Sequence, residues 1–199
     1  MTRPALVLGS TQSRDVVDDQ ACRSRGIEVV RRRSGGGAVL LNPGEVNWID
    51  VIMPSGAPGW SHDVHGPMVW LGGHLAEAVA DRLSGCEPAP GAYVQVHEGK
   101  MRTTPWSSLV CFDGLGSGEV LLDGEKLIGM SQRRTRVVAR LQCCWYSGYD
   151  PTALTSLLVP EVRPSVAELR PVATIAPSVA ATIPEYLLNL LNARPNHQR

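Results

Sequence analysis

Net charge is absent from this chain, and lysine is scarce. The 199 residues include 19 basic and 19 acidic side chains, and 17 of the basic ones are arginines. A chain without net positive charge lacks the field that drives non-specific binding to nucleic acids or membrane surfaces. Because arginine is the usual cation here, a site that needs a primary ammonium is expected to use one of the two lysines. The two candidates are Lys100 and Lys126.

A regular cysteine framework and long hydrophobic runs are also missing. Five cysteines, an odd number without a CxxC pair, predict reduced thiols in a cytoplasmic protein. The apolar run at residues 5–8 is too short for a signal-peptide core or a membrane span. Hydrophobic residues nevertheless make up 43% of the chain, which is the composition of a globular protein with a sizeable core.

Short strands dominate the first three quarters of the chain, and helices dominate the last quarter. Apolar runs bounded by glycine, proline and asparagine predict strands at 5–9, 27–32, 38–41, 46–53, 93–97, 109–112, 119–122, 126–130 and 137–145. One helix is predicted over 14–25. A longer one is predicted from Ser61 as its N-cap to about residue 84, with a buried face of Val64, Met68, Leu71, Leu75 and Val79. Two or three short helices should follow residue 151. This order predicts an α+β fold with a mixed, largely antiparallel sheet and packed helices.

Three arginines and three glycines lie close together at residues 31–37. Consecutive glycines let the backbone approach a ligand and point N–H groups at an anion, and arginines add paired donors for a carboxylate or phosphate. No Gly-Lys-Ser/Thr follows, so the segment is not a P-loop, and its spacing is not that of a dinucleotide fingerprint. The segment therefore predicts an anion-binding loop. The alternative is an exposed turn with solvated arginines.

The second segment that can carry chemistry is residues 123–134. Asp123-Gly124 is typical of a two-residue hairpin turn, and Lys126 follows it on the returning strand. An ammonium at such a place can neutralise an acyl-phosphate or orient a carbonyl for attack. A solvated lysine on a surface hairpin is the alternative.

Together the two segments resemble the catalytic domain of the biotin/lipoate protein ligase superfamily, on its lipoate–protein ligase side. The family's Arg-Arg-x-Ser-Gly-Gly-Gly-Ala-Val motif is present over 31–39. Its Gly-Asn-x-Asn element is partly kept as Gly44 and Asn47, and its lysine motif is kept as Gly124, Lys126, Gly129 and Arg133. The resemblance covers about residues 5–158. It implies a catalytic domain of that fold type at 1–158 and a C-terminal helical extension at 159–199 that packs on the same domain.

The resemblance implies an enzyme that joins lipoate or octanoate to AMP, using ATP and Mg²⁺. The acyl group would then pass to a lysine of a lipoyl carrier domain of the 2-oxoacid dehydrogenase or glycine-cleavage type. Lys126 would be the catalytic residue, in contact with the acyl carbonyl and the adenylate phosphate. The residues that would bind substrate and adenylate are Arg32, Ser34, Gly35, Gly36, Gly37, Ala38, Asn47, Gly129, Ser131 and Arg133. No metal-binding residues are assigned, because His62, His65 and His74 lack a further ligand at a recognised spacing. No nucleic-acid or membrane partner is expected.

Two alternatives stay open. The first is an ATP-independent octanoyl or lipoyl transferase that carries the acyl group on a cysteine; the candidates are Cys111, Cys143 and Cys144, which no sequence neighbour distinguishes. The second is a non-catalytic homologue that binds a ligand. Both are motivated by departures from the family pattern, because its Asn-Asp-Leu element, its accessory domain and its first helix and strand have no counterpart in this sequence.

Overall fold

A three-stranded sheet carries the arginine and glycine motif. In the computed structural model, which describes residues 2–84 and 92–193, it consists of β1 (Ala5–Leu8), β2 (Glu28–Arg31) and β3 (Val39–Leu41), in the order β2-β1-β3. β1 runs parallel to β2 and antiparallel to β3. Because β3 returns along β1, the chain must turn sharply between β2 and β3, and the three glycines lie in that turn as predicted.

The helix predicted over 14–25 is interrupted. A 3₁₀ turn spans Arg14–Val16, and a short helix α1 spans Asp19–Ser24. The side chain of Ser13 accepts a hydrogen bond at the start of the first, and that of Asp18 accepts one at the start of the second. Two capping residues this close together break one helix into two, because each stabilises a new start. Val17, between them, is extended and forms a bridge with Leu158.

A five-stranded antiparallel sheet forms the larger part of the protein. Its strands are β4 (Val46–Pro54), β5 (Val94–Val96), β6 (Val120–Leu122), β7 (Glu125–Arg134) and β8 (Val138–Tyr146), in the order β4-β8-β7-β6-β5. The predicted Asp123-Gly124 turn joins β6 and β7. Both residues have positive φ, 52° and 86°, as this class of tight hairpin turn requires. The mixed, largely antiparallel α+β fold predicted from the sequence is confirmed.

Helix α2 (His65–Ser84) covers one face of the five-stranded sheet. Four of its predicted core residues are buried, namely Met68, Leu71, Leu75 and Val79. The predicted start at Ser61 is wrong. Ser61 donates its hydroxyl to Asp63, whose carboxylate accepts the N–H of Gly66, so the helix begins four residues later. Val64 therefore lies before the helix and is 58% exposed.

The last part of the chain wraps around both sheets. It contains three helices, α3 (Pro151–Thr155), α4 (Pro177–Ala180) and α5 (Ile183–Ala193), as predicted. Helix α5 packs against α2, with Ile183 and Leu187 in the core cluster beneath it. Between α3 and α4, the N–H of Ala173 donates to the carbonyl of Lys126 at 3.0 Å. No described helix has the length and apolar character needed to cross a membrane. The predicted domain boundary at 158 stays a prediction.

The strand predicted over 109–112 is wrong. Val110 forms a single bridge with Ala38, and a 3₁₀ turn follows at Cys111–Asp113. The carbonyls of Cys111 and Gly114 both turn towards the ammonium of Lys126, at 3.1 and 2.9 Å. This convergence on one cation bends the chain where an extended strand would run straight.

A bulge in β7 decides which side chains face the site. The pairing with β6 slips by one residue between Val120 and Leu121, which leaves Leu127 without a partner in the ladder. Residues three apart normally lie on opposite faces of a strand, but one extra residue reverses the alternation. Lys126 and Gly129 consequently face the same side, away from α2: a Cβ on Gly129 would lie 3.3 Å from Cε of Lys126.

Candidate functional site

The glycine turn packs directly against the segment that carries Cys111. The N–H of Ala38 donates to the carbonyl of Leu109 at 2.7 Å, and the N–H of Cys111 donates to the carbonyl of Ala38 at 3.0 Å. A Cβ on Gly37 would lie only 2.8–2.9 Å from backbone atoms of Leu109, Val110 and Cys111. Only glycine permits this approach. The motif predicted to bind an anion therefore also positions a cysteine.

Arg32 is buried, with 8% of its surface exposed, and its guanidinium lies inside the glycine turn. It donates to the carbonyls of Gly35 at 2.7 Å, Gly37 at 2.9 Å and Val7 at 3.3 Å. Within residues 2–84 and 92–193 it forms no ion pair with a carboxylate. The side chain thus holds the turn in shape and leaves a positive charge there that no acidic residue compensates.

Cys111 lies next to that charge. Nη2 of Arg32 is 3.8 Å from Sγ of Cys111, within hydrogen-bond range of a sulfur acceptor. The thiol is only partly buried and borders a pocket between the glycine turn and the five-stranded sheet. Gly36, with a φ of 98°, borders both groups, since a Cβ there would be 2.8 Å from Nη2 and 3.4 Å from Sγ.

Burial separates Cys111 from the other two candidate thiols. Cys143 and Cys144 lie on β8 and are 0% and 4% exposed. Burial raises the pKa of both thiols far above the usual value for cysteine. They remain protonated at neutral pH, so neither is a competent nucleophile.

Lys126, the predicted catalytic lysine, is 6% exposed, and its ammonium is fully engaged. Nζ lies 2.7 Å from Oε2 of Glu119 and donates to the carbonyls of Cys111 and Gly114. It also lies 4.9 Å from the centre of the Phe112 ring. An ammonium has three N–H donors, and these three partners account for all of them.

Ser34 lies next to Ser131, which lines the pocket; that both bind substrate stays a prediction. Their hydroxyl oxygens are 3.0 Å apart, and Ser34 donates to Oε1 of Gln142 at 2.7 Å. Gln142 is hydrogen-bonded in turn to Asp50. Burial opposes ionisation of Asp50, but hydrogen bonds from Arg140 and Gln142 hold its pKa below the usual value.

The remaining predicted site residues lie at different distances from this pocket. Gly129 lines it, and its missing side chain makes room for Phe112, whose ring would be 3.0 Å from a Cβ. Arg133 follows Ser131 on the same face of β7 and is exposed. Asn47 donates to Ser147 at 3.3 Å and is not among the residues that line the pocket. Their roles in binding stay predictions.

Two residues of this region were missed by the sequence analysis. Glu119 is 3% exposed, and its carboxylate accepts the N–H groups of Gly116 at 2.6 Å and Met130 at 2.9 Å besides contacting Lys126. Gln142 was overlooked because it lies on an otherwise unremarkable strand. The only sequence signal for Glu119 was an acidic residue directly before an apolar strand, where a charge is seldom buried without a partner.

The buried carboxylates near the pocket are engaged by other groups of the protein. Glu119 is committed to Lys126, and the buried Asp113 accepts hydrogen bonds from Thr104 and from the N–H of Arg170. Across the described ranges there is no group of three or more histidine, cysteine, aspartate or glutamate residues that could hold a metal ion. His65 and His74 instead contact Ser117 and the carbonyl of Trp70.

Similar proteins were found by sequence and by structure. The chain is 31% identical over 156 residues to the octanoyltransferase LipM of Kyrpidia tusciae (strain DSM 2912 / NBRC 15312 / T2). The aligned region covers 78% of this chain and 55% of that protein. The chain thus spans about half the length of this curated relative.

Solved structures of lipoate protein ligases share the fold. A bi-partite lipoate protein ligase from Thermoplasma acidophilum, studied with its E2 lipoyl domain, matches with a TM-score of 0.63 and 17% identity over 99% of this chain and 71% of that chain. Lipoate-protein ligase A bound with ATP matches with a TM-score of 0.65 and 17% identity, over 98% and 72% of the two chains. P. falciparum LipL1 in complex with lipoate has a TM-score of 0.59 and 12% identity, over 99% and 50%.

The family model for the lipoyl protein ligase A/B catalytic domain matches residues 1–191, nearly the whole chain. This match agrees with the arginine and glycine turn, the buried lysine on β7 and the shared fold. The chain belongs to the lipoyl protein ligase A/B catalytic domain family.

Proposed function

We propose that this protein transfers an octanoyl or lipoyl group to the lysine of a lipoyl carrier domain, with Cys111 carrying the acyl group as a thioester. The observation that carries the proposal is the position of Cys111: a partly exposed thiol at a pocket, 3.8 Å from the buried guanidinium of Arg32. Similarity to a protein named as an octanoyltransferase supports the transfer of an octanoyl group.

The reaction has two half-reactions. In the first, the sulfur of Cys111 attacks the carbonyl carbon of a donor thioester; a new S–C bond forms, the donor's S–C bond breaks, and the donor thiol leaves with the proton that Cys111 gives up. In the second, the amine of the carrier lysine attacks the same carbonyl carbon. An N–C bond forms, the bond to Cys111 breaks, and the amine proton returns to the sulfur.

Arg32 and the glycine turn supply the electrostatic part of the mechanism. Negative charge develops on the attacking sulfur and on the carbonyl oxygen, and a fixed guanidinium in a poorly hydrated site stabilises both. Within the described part of the chain, the amides of Gly35, Gly36 and Gly37 donate to no protein acceptor. Those of Gly35 and Gly36, which are exposed, can therefore donate to a bound anion.

Lys126 has a positioning role in this proposal. The resemblance predicted that its ammonium contacts the acyl carbonyl and a phosphate, but its three donors are directed to Glu119, Cys111 and Gly114. A lysine so engaged orients the turn that carries the nucleophile. Contact between Lys126 and substrate would require at least one of these bonds to break.

The second candidate is the ATP-dependent ligase reaction, in which lipoate or octanoate is first joined to AMP. The same free amides of the glycine turn favour it, because they suit a phosphate as well as an oxyanion. The carboxylates near the pocket offer no ready place for Mg²⁺, so we derive no step through that ion. The acceptor in both reactions is a lipoyl carrier domain, such as those of 2-oxoacid dehydrogenases or the glycine-cleavage system.

One assay separates the two candidates. The protein is incubated with an apo lipoyl domain and either an octanoyl carrier-protein thioester or free octanoate with ATP and Mg²⁺, and the intact mass of the lipoyl domain is recorded. Gain of one octanoyl group from the thioester without ATP is expected. Gain that requires ATP and free acid would instead establish the ligase reaction.

The thioester intermediate is tested in the same samples. Tryptic cleavage after Arg102 and Lys126 releases a peptide in which Cys111 is the only cysteine, so an acyl group on that peptide is assigned without ambiguity. Cys111→Ser should abolish transfer, whereas Cys143→Ser should retain it because that thiol is buried and protonated. Full transfer by folded Cys111→Ser would refute the proposal.

A further inference from the structure

Glu119 connects three separate parts of the backbone. It lies directly before the first residue of β6, and its carboxylate accepts the N–H of Met130 on β7. β6 does not extend far enough to accept this N–H. It also accepts the N–H of Gly116 and contacts Lys126 at 2.7 Å. One buried carboxylate therefore holds a strand edge, a loop and an ammonium.

Lys126 connects Glu119 to the turn that contains Cys111. Its Nζ donates to the carbonyl of Cys111 at 3.1 Å and to that of Gly114 at 2.9 Å, on either side of the 3₁₀ turn. With Glu119 as the third partner, the ammonium has one orientation in which all its N–H groups are satisfied. A free lysine side chain has several rotamers, so the carboxylate is what selects this one.

We propose that Glu119 is a positioning residue for Cys111: its carboxylate fixes the ammonium of Lys126, and the ammonium fixes the turn that presents the thiol next to Arg32. This inference rests on the proposed function, in which Cys111 carries the acyl group. Glu119 does not touch the sulfur or the acyl group and acts only through Lys126.

Several charged and titratable groups face Cys111, and the proposal concerns one pair of them. The other groups are Arg32 from the glycine turn, Cys144 and Tyr146 from β8, Tyr149 after it, and Asp113 on the same turn. Burial raises the pKa of Cys144, Tyr146 and Tyr149, so these three are neutral at neutral pH. The fixed charges are those of Arg32, Asp113 and the pair Lys126–Glu119.

The first test is the pH profile of Cys111 alkylation in Glu119→Gln, read on the tryptic peptide. Loss of the carboxylate leaves the ammonium uncompensated beside the Cys111 turn, so the midpoint of the profile should fall by about half a pH unit to one unit. The rate of acyl transfer should fall about 10- to 100-fold with KM for the lipoyl domain within about twofold, because the nucleophile is misplaced while the docking surface is unchanged.

Cys143 and Cys144 report on general unfolding in the same digest. They are buried in the sheet, so they should stay unreactive if Glu119→Gln affects only the Cys111 turn. Glu125→Gln, on the same hairpin but exposed, is the matched control and should leave both the midpoint and transfer unchanged. A Glu119→Gln protein with wild-type midpoint and wild-type transfer would overturn the proposal.

Glu119→Asp decides the matter if Glu119→Gln does not fold. The shorter side chain keeps the negative charge but draws the ammonium away from the turn, so transfer should fall while the alkylation midpoint stays near that of the wild type. Full transfer by folded Glu119→Asp would overturn the proposal. The alkylation profile does not depend on acyl transfer, so active Cys111→Ser would refute the proposed function without altering this result.

Discussion

The two buried cations at the site are held in opposite ways. Arg32 is surrounded by backbone carbonyls and the Cys111 thiol, whereas Lys126 has a carboxylate partner in Glu119. Both are less than 10% exposed. When a buried cation has a carboxylate partner, its charge is compensated and the pair stabilises the fold. When it is surrounded by carbonyl dipoles, its charge can still act on a substrate or a thiolate. The lysine that is most conspicuous in the sequence thus has its charge compensated in this conformation.

The largest effect that this comparison predicts is on stability. Lys126→Met leaves Glu119 as an unpaired buried carboxylate, and breaking a buried pair in this way costs about 3–5 kcal/mol. The double variant Lys126→Met/Glu119→Gln should recover most of the loss, since no charge is then left unpaired. Urea unfolding of both variants checks this. Equal stability of the single variant and the wild type would show that Lys126 is not a structural cation.

The next effect is on catalysis through Arg32. Arg32→Gln removes the uncompensated charge, and loss of such a stabilising group costs about 2.7–4 kcal/mol in the barrier, or about 100- to 1,000-fold in rate. Arg33→Gln, the exposed neighbour, should change the rate by less than about twofold. Steady-state transfer assays compare the two. If Arg32→Gln were as active as Arg33→Gln, the charge of Arg32 would not contribute to catalysis.

A smaller effect is expected where the glycine turn meets the thiol. In Gly36→Ala the new methyl group would crowd Nη2 of Arg32 and Sγ of Cys111 at a φ of 98°, which an alanine adopts only with strain of about 1–2 kcal/mol. Transfer should fall about tenfold as the two groups are pushed apart. Gly73→Ala, at an open position in α2, should instead stabilise the protein by about 0.5–1 kcal/mol. Thermal unfolding and transfer rates measure both.

The smallest predicted effect lies at the exposed end of the same sheet face. Asp50 pairs with Arg140 at 2.6 Å, with its side chain 28% exposed, and such a pair contributes about 0.2–1 kcal/mol. Because the pKa of Asp50 is lowered in the folded state, this contribution is complete above the ordinary aspartate value and is lost as pH falls below it. Asp50→Asn should therefore be less stable than the wild type at pH 7, and the difference should shrink as pH falls through the lowered pKa. A stability difference that is already lost above the ordinary aspartate pKa would contradict the lowered pKa.

Local sequence signals predicted most of the strands correctly. The tight turn at Asp123-Gly124 fixed the β6–β7 hairpin, and the periodicity of Met68, Leu71, Leu75 and Val79 identified the buried face of α2. These features depend on neighbours along the chain. The strand predicted over 109–112 failed because its conformation depends on Lys126, which lies more than ten residues away.

Which of the candidate cysteines is accessible also lay beyond local signals. Cys111, Cys143 and Cys144 have no sequence neighbours that distinguish them, and only the packing of the glycine turn against residues 109–111 places Arg32 beside one of them. The role of Glu119 could not be predicted for the same reason, because its three partners come from three segments of the chain.

The sequence by itself determined the α+β class, the arginine- and glycine-rich motif, the scarce lysine and the family. Each of these depends on composition or on residues that lie close together in the chain, so backbone propensity and side-chain type are enough to predict it. Only the tertiary structure decided that Lys126 has a carboxylate partner, that Arg32 has none within the described residues, and that Cys111 is the most accessible of the three candidate thiols. Charge compensation and burial depend on which distant segments are brought within a few ångströms, and the bulge in β7 and the close approach at Gly37 are what bring them there.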